Sequence, residues 1–300
     1  MFTHFDAVLG ATVLGQTQSA DYAPGGQPIS VYFSDGTDPA THYGGPADPR
    51  VTIEATDLAA VFGNAAVLTD GWCVEGGTVS VPYANRGKCG AFESGNVHRS
   101  LNGTDALVLV RSVGWSEGGG GALATASLEV LFLSSDGTTV PVALSAAGAL
   151  PDGRKNAAVY GPGPVYVGGT LAANLVPEVT GVACSPGITT EPKTFGYNWP
   201  VARPFAQRAP TVELTFESLA AAQTFTNGSA FGSFTSFACY FRKRSGAGFV
   251  ADNVAEHIKV TFAAGLTQGG GIRSRAGANG DASVTVHGLT MVGVAGVTIP

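Results

Sequence analysis

Apolar and polar residues alternate along much of this chain. Val51 to Ala55 (VTIEA), Val212 to Phe216 (VELTF), Phe234 to Phe241 (FTSFACYF), His257 to Ala263 (HIKVTFA) and Ala282 to His287 (ASVTVH) show the pattern. A period of two sends successive side chains to opposite faces, so it predicts half-buried strands. Ala106 to Val113 (ALVLVRSV) and Ala126 to Leu133 (ASLEVLFL) are denser in apolar residues and predict a hairpin with its tip at Gly118 to Gly121. Glu129 inside the second run points to an exposed strand face or an interface. Further strands are expected at Val8 to Leu14, Ile29 to Phe33, Thr138 to Leu144 and Met291 to Ile299. Pro141 places the third of these at a sheet edge, because it lacks an N–H for a second neighbour.

Turn residues punctuate the strands. Tyr22 to Pro28 (YAPGGQP) and Asp136-Gly137 predict turns. Ser34 to Pro49 reads as a long loop, and the glycine-rich Leu266 to Gly280 as a mobile one. Thr56 or Asp57 caps a short helix, Leu58 to Phe62, which Gly63 stops. Total helix should be low, about 10% against the one-third usual in globular proteins.

Two passages echo two others. VTIEATDLAAV (Val51 to Val61) matches VELTFESLAAA (Val212 to Ala222), with Leu58 on Leu219 and Ala59-Ala60 on Ala220-Ala221. In the second pair, Tyr83 falls on Tyr240, Phe92 on Phe249, Asn96 on Asn253 and Val97 on Val254. The registers, 161 and 157 residues, differ by a four-residue indel between the blocks. The expected fold is therefore all-β with minor α: two tandem β-sandwich or barrel units related by internal duplication, each with one short helix. The units are residues 1–150 and 170–300, with the Gly/Pro-rich 151–169 as linker.

Composition adjusts this picture. Gly is 43 of 300 residues, apolar residues are 44% and charged ones only 13%, about half the usual charged share. So little charge indicates that much of the surface meets other protein. The net charge of −6 argues against a groove gripping nucleic acid, which needs clustered Lys and Arg. The one basic cluster, Arg242-Lys243-Arg244, reads as a solvated hairpin turn or as an inter-subunit contact. With Arg86 and Lys88 of the matching passage it forms the candidate contact set. No positively charged leader opens the chain and no apolar run is long enough for a membrane helix, so a protein made in the cytoplasm and not secreted is expected.

Chemistry-bearing motifs are sparse. Gly114-Trp115-Ser116-Glu117-Gly118 has the letters GxSxG, but the strand-to-helix turn that exposes a nucleophilic Ser is not expected beside four glycines. Asp35, Asp38 and Asp48 lack calcium-loop spacing, and Cys73, Cys89, Cys184 and Cys239 lack metal-ligand spacing. Cys73 and Cys89 could pair across a hairpin, although free buried thiols are favoured where no secretory signal is seen. His98 and His257, two residues apart in the aligned copies, read as strand-edge side chains facing solvent or a partner. Asn102-Gly-Thr and Asn227-Gly-Ser read as turns, and Phe237, Tyr240 and Phe241 as sheet packing. The expectation is a protein that is not an enzyme and carries no cofactor and no metal.

The strand-plus-helix phrases VTIEATDLAAV and VELTFESLAAA, the sheet with its hairpin FACYFRKRSGAGFVADNVAEHIKVTF, and the closing VTVHGLT together resemble the tail-tube (major tail) proteins of tailed bacteriophages. The resemblance implies a virion subunit that forms a ring, hexameric or, for a duplicated chain, trimeric with pseudo-six-fold symmetry. It further implies stacked rings, other virion proteins as neighbours, and DNA only as passing cargo, with no membrane. An acidic lumen would let DNA slide, since like charges repel. Other virion surface roles (a capsid, decoration or receptor-binding protein) and a carbohydrate-binding or hydrolytic β-sandwich are the alternatives.

Overall fold

The computed structural model describes residues 2–32, 39–63, 73–74, 77–85, 98–117, 122–147, 150, 157–168, 175–218, 222, 231–273 and 281–300. These form β1 (Phe2–His4), β2 (Ala7–Leu9), β3 (Thr12–Leu14), β4 (Thr17–Ala23), β5 (Pro28–Tyr32), β6 (Pro39–Gly44) and β7 (Arg50–Ala55), then helix α1 (Leu58–Gly63). Next come β8 (Cys73–Val74), β9 (Val79–Asn85), β10 (His98–Gly103), β11 (Ala106–Ser116), β12 (Thr125–Phe132), β13 (Val142–Ala147), β14 (Tyr160–Val167), β15 (Leu175–Val176) and β16 (Val179–Ser185). The chain closes with β17 (Ile188–Thr190), β18 (Phe205–Arg208), β19 (Thr211–Phe216), β20 (Phe231–Ser245), β21 (Gly248–Phe249), β22 (His257–Arg273) and β23 (Asp281–Val297). The protein is nearly all β with antiparallel sheets.

One 13-stranded sheet runs β15-β14-β20-β22-β23-β19-β16-β11-β12-β7-β4, with β21 also on β20 and β8 also on β11. A six-stranded sheet runs β13-β10-β9-β2-β3, with β1 also on β9. A single apolar core joins the two, with Val81 and Leu101 of the smaller sheet and Leu128, Leu214 and Phe262 of the larger one all in it. The large sheet crosses from the first half of the chain to the second where Val113–Ser116 pairs with Gly181–Cys184. It also curls back on itself, because Ala124 N–H donates to Tyr160 O at 2.9 Å, linking the start of β12 to β14. The passage 151–169 thus contains a paired strand, β14, whose prolines Pro162 and Pro164 coincide with a register shift against β20. That is where a missing N–H is tolerated.

The strand into helix design is built as its residues dictate. Leu58, Val61 and Phe62 recur at helical spacing and are all buried. Asp57 caps α1, its Oδ1 accepting Ala60 N–H at 3.1 Å, while Oδ2 accepts Gly15 N–H at 3.1 Å. In the second half, Ala222 N–H donates to Ser218 O at 3.2 Å, as Val61 N–H does to Asp57 O at 3.2 Å in the first. Leu219 to Ala221 of the expected second helix lie outside the described residues.

Several expectations are corrected. Val8 to Leu14 is a tight hairpin, β2 and β3, turned by Gly10 at φ 60°. The loop expected over Ser34 to Pro49 carries β6, paired with β5. The Thr138 to Leu144 strand begins after Pro141, at Val142, and does lie at the edge of the smaller sheet. Ala282 to His287 and the expected strand from Met291 belong to one strand, β23, which ends at Val297. Leu266 to Arg273 is no loop but the second half of β22, paired with β23. A ladder needs only backbone groups, so glycines there sacrifice entropy and not pairing.

The β22–β23 ribbon changes the face that it buries. At one end Ile258, Val260, Phe262 and Met291 point into the core. At the other, Thr267, Val284 and Val286 are buried instead, on the opposite face. Gly265 and Gly288, paired with each other, sit at the change. A Cβ on Gly265 would run into the His287 carbonyl oxygen, and one on Gly288 would stand 2.8 Å from the Phe262 ring. Leu266 and Leu289 are left exposed on one face, Val292 and Val294 on the other.

Candidate functional site

Arg242-Lys243-Arg244, expected in a hairpin turn, lies instead in the last residues of strand β20, paired with β14 and β21 just before the turn at Gly246, and its side chains are held within the chain. Arg242 makes a two-pronged pair with Asp252, Nε to Oδ1 at 2.9 Å and Nη2 to Oδ2 at 2.7 Å. Lys243 Nζ donates to Glu256 Oε2 at 2.8 Å, and the Arg244 guanidinium lies 5.2 Å from the centre of the Phe249 ring. The acceptors come from the loop that returns to β22. These cations therefore pin a hairpin to its own return loop, as charged forks commonly do. Arg86 and Lys88 lie outside the described residues.

Behind this turn is a buried histidine. His257 opens β22, and its Nδ1 accepts Lys243 N–H at 3.1 Å, which leaves Nε2 to donate to Ala251 O at 3.1 Å. His98 opens β10 in the same way, its Nδ1 accepting Asn85 N–H at 3.0 Å. Both rings are buried, which corrects the reading of them as strand-edge groups facing outward. A backbone N–H that would be an orphan at the strand end is satisfied by the ring of the returning strand.

The matched tyrosines share one more feature. Tyr83 pairs across the ladder with Arg99, and Tyr240 with Lys259. Lys259 Nζ stands 5.6 Å from the Tyr240 ring centre, which also meets Tyr166 edge-on at 5.7 Å. Burial raises the Tyr240 hydroxyl above its ordinary pKa, and burial followed by the charge of Asp21 does the same for Tyr83. Their sheets differ: Tyr83 is on β9 of the smaller sheet and Tyr240 on β20 of the larger. Phe237 and Phe241 are fully buried, Phe237 meeting Phe262 edge-on at 6.0 Å.

We expect His98→Leu and His257→Leu to destabilise alike, by about 1–3 kcal/mol each, since each takes the ring acceptor from a half-buried backbone N–H. Chemical denaturation of the two variants checks this. A loss at one position only would separate the two hairpins physically.

Other sequence candidates are dispersed. Ser116 ends β11 on an exposed position, and the Gly118 to Gly121 tip lies outside the described residues. Asp48 pairs with Arg203, whose side chain is almost wholly buried. Asp35, Asp38 and Asn227 fall outside the described residues, as do Cys89 and the side chain of Cys73. Cys184 and Cys239 are free and buried. Burial, and then contact with the Cys184 thiol, raises the Cys239 thiol well above its ordinary range. Asn102 lies within β10, not in a turn, and donates to Ser145 Oγ at 2.7 Å. Glu129 is buried, not on an open face, and pairs with both Arg111 and Arg50. Among the described residues no group of His, Cys, Asp or Glu is arranged to hold a metal ion, and no helix is long and apolar enough to cross a membrane.

Sequence reasoning missed one feature that the structure brings out. Phe195, Tyr197 and Phe205 are exposed aromatics on the excursion between β16 and β19. Phe195 has a positive φ of 48°. The signal in the letters was the Thr-Phe-Gly-Tyr run, where glycine marks a turn inside a stretch without charge.

No family model matches this chain. No curated protein matches it either.

Proposed function

We propose that this chain is a structural virion subunit, part of a tail tube or tail-associated ring built from copies of itself. The observation that supports it most is the open margin of a large sheet. Strand β4, seven residues long, is the last strand of the 13-stranded order and pairs only with β7 among the described residues. Unpaired strand edges are an association surface, and closing them around a ring satisfies the edges while limiting growth in the plane. Asp21 is its only charged residue, so the margin carries little of the charge that natural edges use to block pairing.

An internal duplication is part of this reading. The paired histidines, the tyrosine-opposite-cation pairs, and the matching backbone bonds from Val61 to Asp57 and from Ala222 to Ser218 all support it. A doubled unit lets a trimer imitate six-fold symmetry. Arg242, Lys243 and Arg244 then act by shaping the hairpin that faces a neighbour, since their charges are answered within the chain.

Negative-stain microscopy of the purified chain tests the function. The expected result is annular particles with a central channel, or stacks of them. Uniform particles the size of one chain at every concentration would refute it.

A further inference from the structure

The most exposed aromatic among the described residues sits where the backbone least favours it. Phe195, 74% exposed, and Gly196 are the central residues of a turn closed by Tyr197 N–H to Thr194 O at 2.8 Å. Their φ angles are 48° and 87°. Two positive φ values make the I′ geometry, which favours Asn-Gly and strains a residue with a bulky Cβ substituent. Little in the fold itself calls for a phenylalanine there, because most of its side chain is open to solvent. Strain kept at an exposed position is a sign of contact with something else.

The tip is also held stiffly. Lys193 N–H donates to Ala202 O at 2.9 Å and Val201 N–H to Lys193 O at 3.0 Å, closing its base. Ala47 N–H reaches Asn198 O at 3.0 Å, and Ser134 N–H reaches Pro200 O at 2.8 Å. The Asp48–Arg203 pair and the packing of Tyr197 against Gly137 add two side-chain ties. Asp136 orders the loop bearing Gly137, with the Thr139 and Thr138 amides holding its carboxyl well below the usual carboxylate range. A rigid aromatic presented this way loses little entropy on docking.

Charge decides what kind of partner it fits. No charged residue lies between Lys193 and Arg203, so the tip has no cations for a nucleic acid or an anionic lipid surface. It suits an apolar protein face. This chain exposes one. Leu266 and Leu289, the latter 75% exposed, lie on one face of the β22–β23 ribbon, in adjacent strands beside the Leu266–His287 pair. That ribbon has no charged residue between Lys259 and Arg273, and none after Asp281. Interface centres are depleted of charge in this way.

We propose that the Phe195 tip of one copy docks on the Leu266–Leu289 face of the next copy. The contact is heterologous, the class that closes rings or propagates stacks. It rests on the ring-subunit reading and adds the residues that join neighbours.

Phe195→Asn and Leu289→Asn test it by sedimentation velocity, alone and mixed. Phe195→Asn removes the ring but improves the turn, so its thermal midpoint should hold or rise by about 2 °C, while self-association weakens about 30-fold or more, as for an interface hot spot. Leu289→Asn alone should weaken association similarly. An equimolar mixture retains one intact tip and one intact face per pair, so it should give mixed dimers that go no further. Wild-type association by Phe195→Asn would overturn the proposal. So would loss of association in Phe195→Asn with none in Leu289→Asn, which would send the tip to another surface, or a mixture without mixed dimers. A wild-type chain that is monomeric throughout would instead remove the ring reading on which the proposal stands.

Discussion

Gly265→Val is expected to destabilise the protein by about 3 kcal/mol or more, the upper range for overpacking a filled interior. The added Cβ meets the His287 carbonyl oxygen on one side and stands 2.9 Å from the Phe234 ring on the other. The carbonyl belongs to the β22–β23 ladder and cannot move without unpairing it. Gly265 is also paired with Gly288 at the point where the ribbon exchanges its buried face, so displacement there disturbs both halves of the core. Gly248 is the matched control. It too lies in a strand, has no positive φ, and a Cβ there meets nothing within 4 Å. Gly248→Ala should fall within about 0.5 kcal/mol of wild type, as open-surface substitutions do. Urea titration of both variants reads the difference, and equal midpoints would contradict the crossing as described.

Glu129→Ala is expected to destabilise by about 2–3 kcal/mol. Breaking a fully buried ion pair costs 3–5 kcal/mol, and this one is discounted because Arg111 and Arg50 are 38% and 49% exposed. Glu129 itself is only 11% exposed, receives Arg111 Nε at 2.7 Å and sits opposite Leu109 and Thr52 in its ladders. Arg111 also donates to Ile188 O at 2.5 Å, tying β11 to β17. Removing the acid leaves two cations facing an apolar layer. Replacing both Glu129 and Arg111 by Leu should recover most of the loss, because only Arg50 then remains and its side chain is half-exposed. A double variant no better than the single one would show that packing, not charge, sets the effect.

How far the sequence reached depends on whether its signals were local. Strand positions set by alternation, such as Val51 to Ala55 and Val212 to Phe216, appear where expected, and so does the Asp57 cap, whose partner is three residues away. Signals that need a register did not read out. Glu129 read as a residue of an exposed face or an interface because its partners are Arg111 and Arg50, brought alongside only by the pairing of β12 with β11 and β7. Arg111 is moreover the extra residue of a bulge between Val110 and Ser112, and a bulge re-aims a side chain in a way alternation cannot foretell. His98 and His257 were found as an echo in letters, but the amides that turn their rings inward lie on other strands. Glycine misled most: at Leu266 to Arg273 it signalled a loop, whereas close backbone approach at Gly265 and Gly288 was its actual use. Among the candidate contact residues, the acids that answer Arg242 and Lys243 come from Asp252 and Glu256, within the same hairpin. Phe195 carried no periodic signal, since the turn that strains it is defined by backbone angles alone.

Copies of this chain are proposed to join one another through a sheet margin and an apolar tip that the single chain leaves uncovered. Sedimentation velocity of the wild-type protein over a hundredfold range of concentration measures this most directly. The expected outcome is growth from one chain to a discrete closed species, a trimer or a hexamer, with larger stacks at the top of the range. One boundary at the mass of a single chain across the whole range would contradict it.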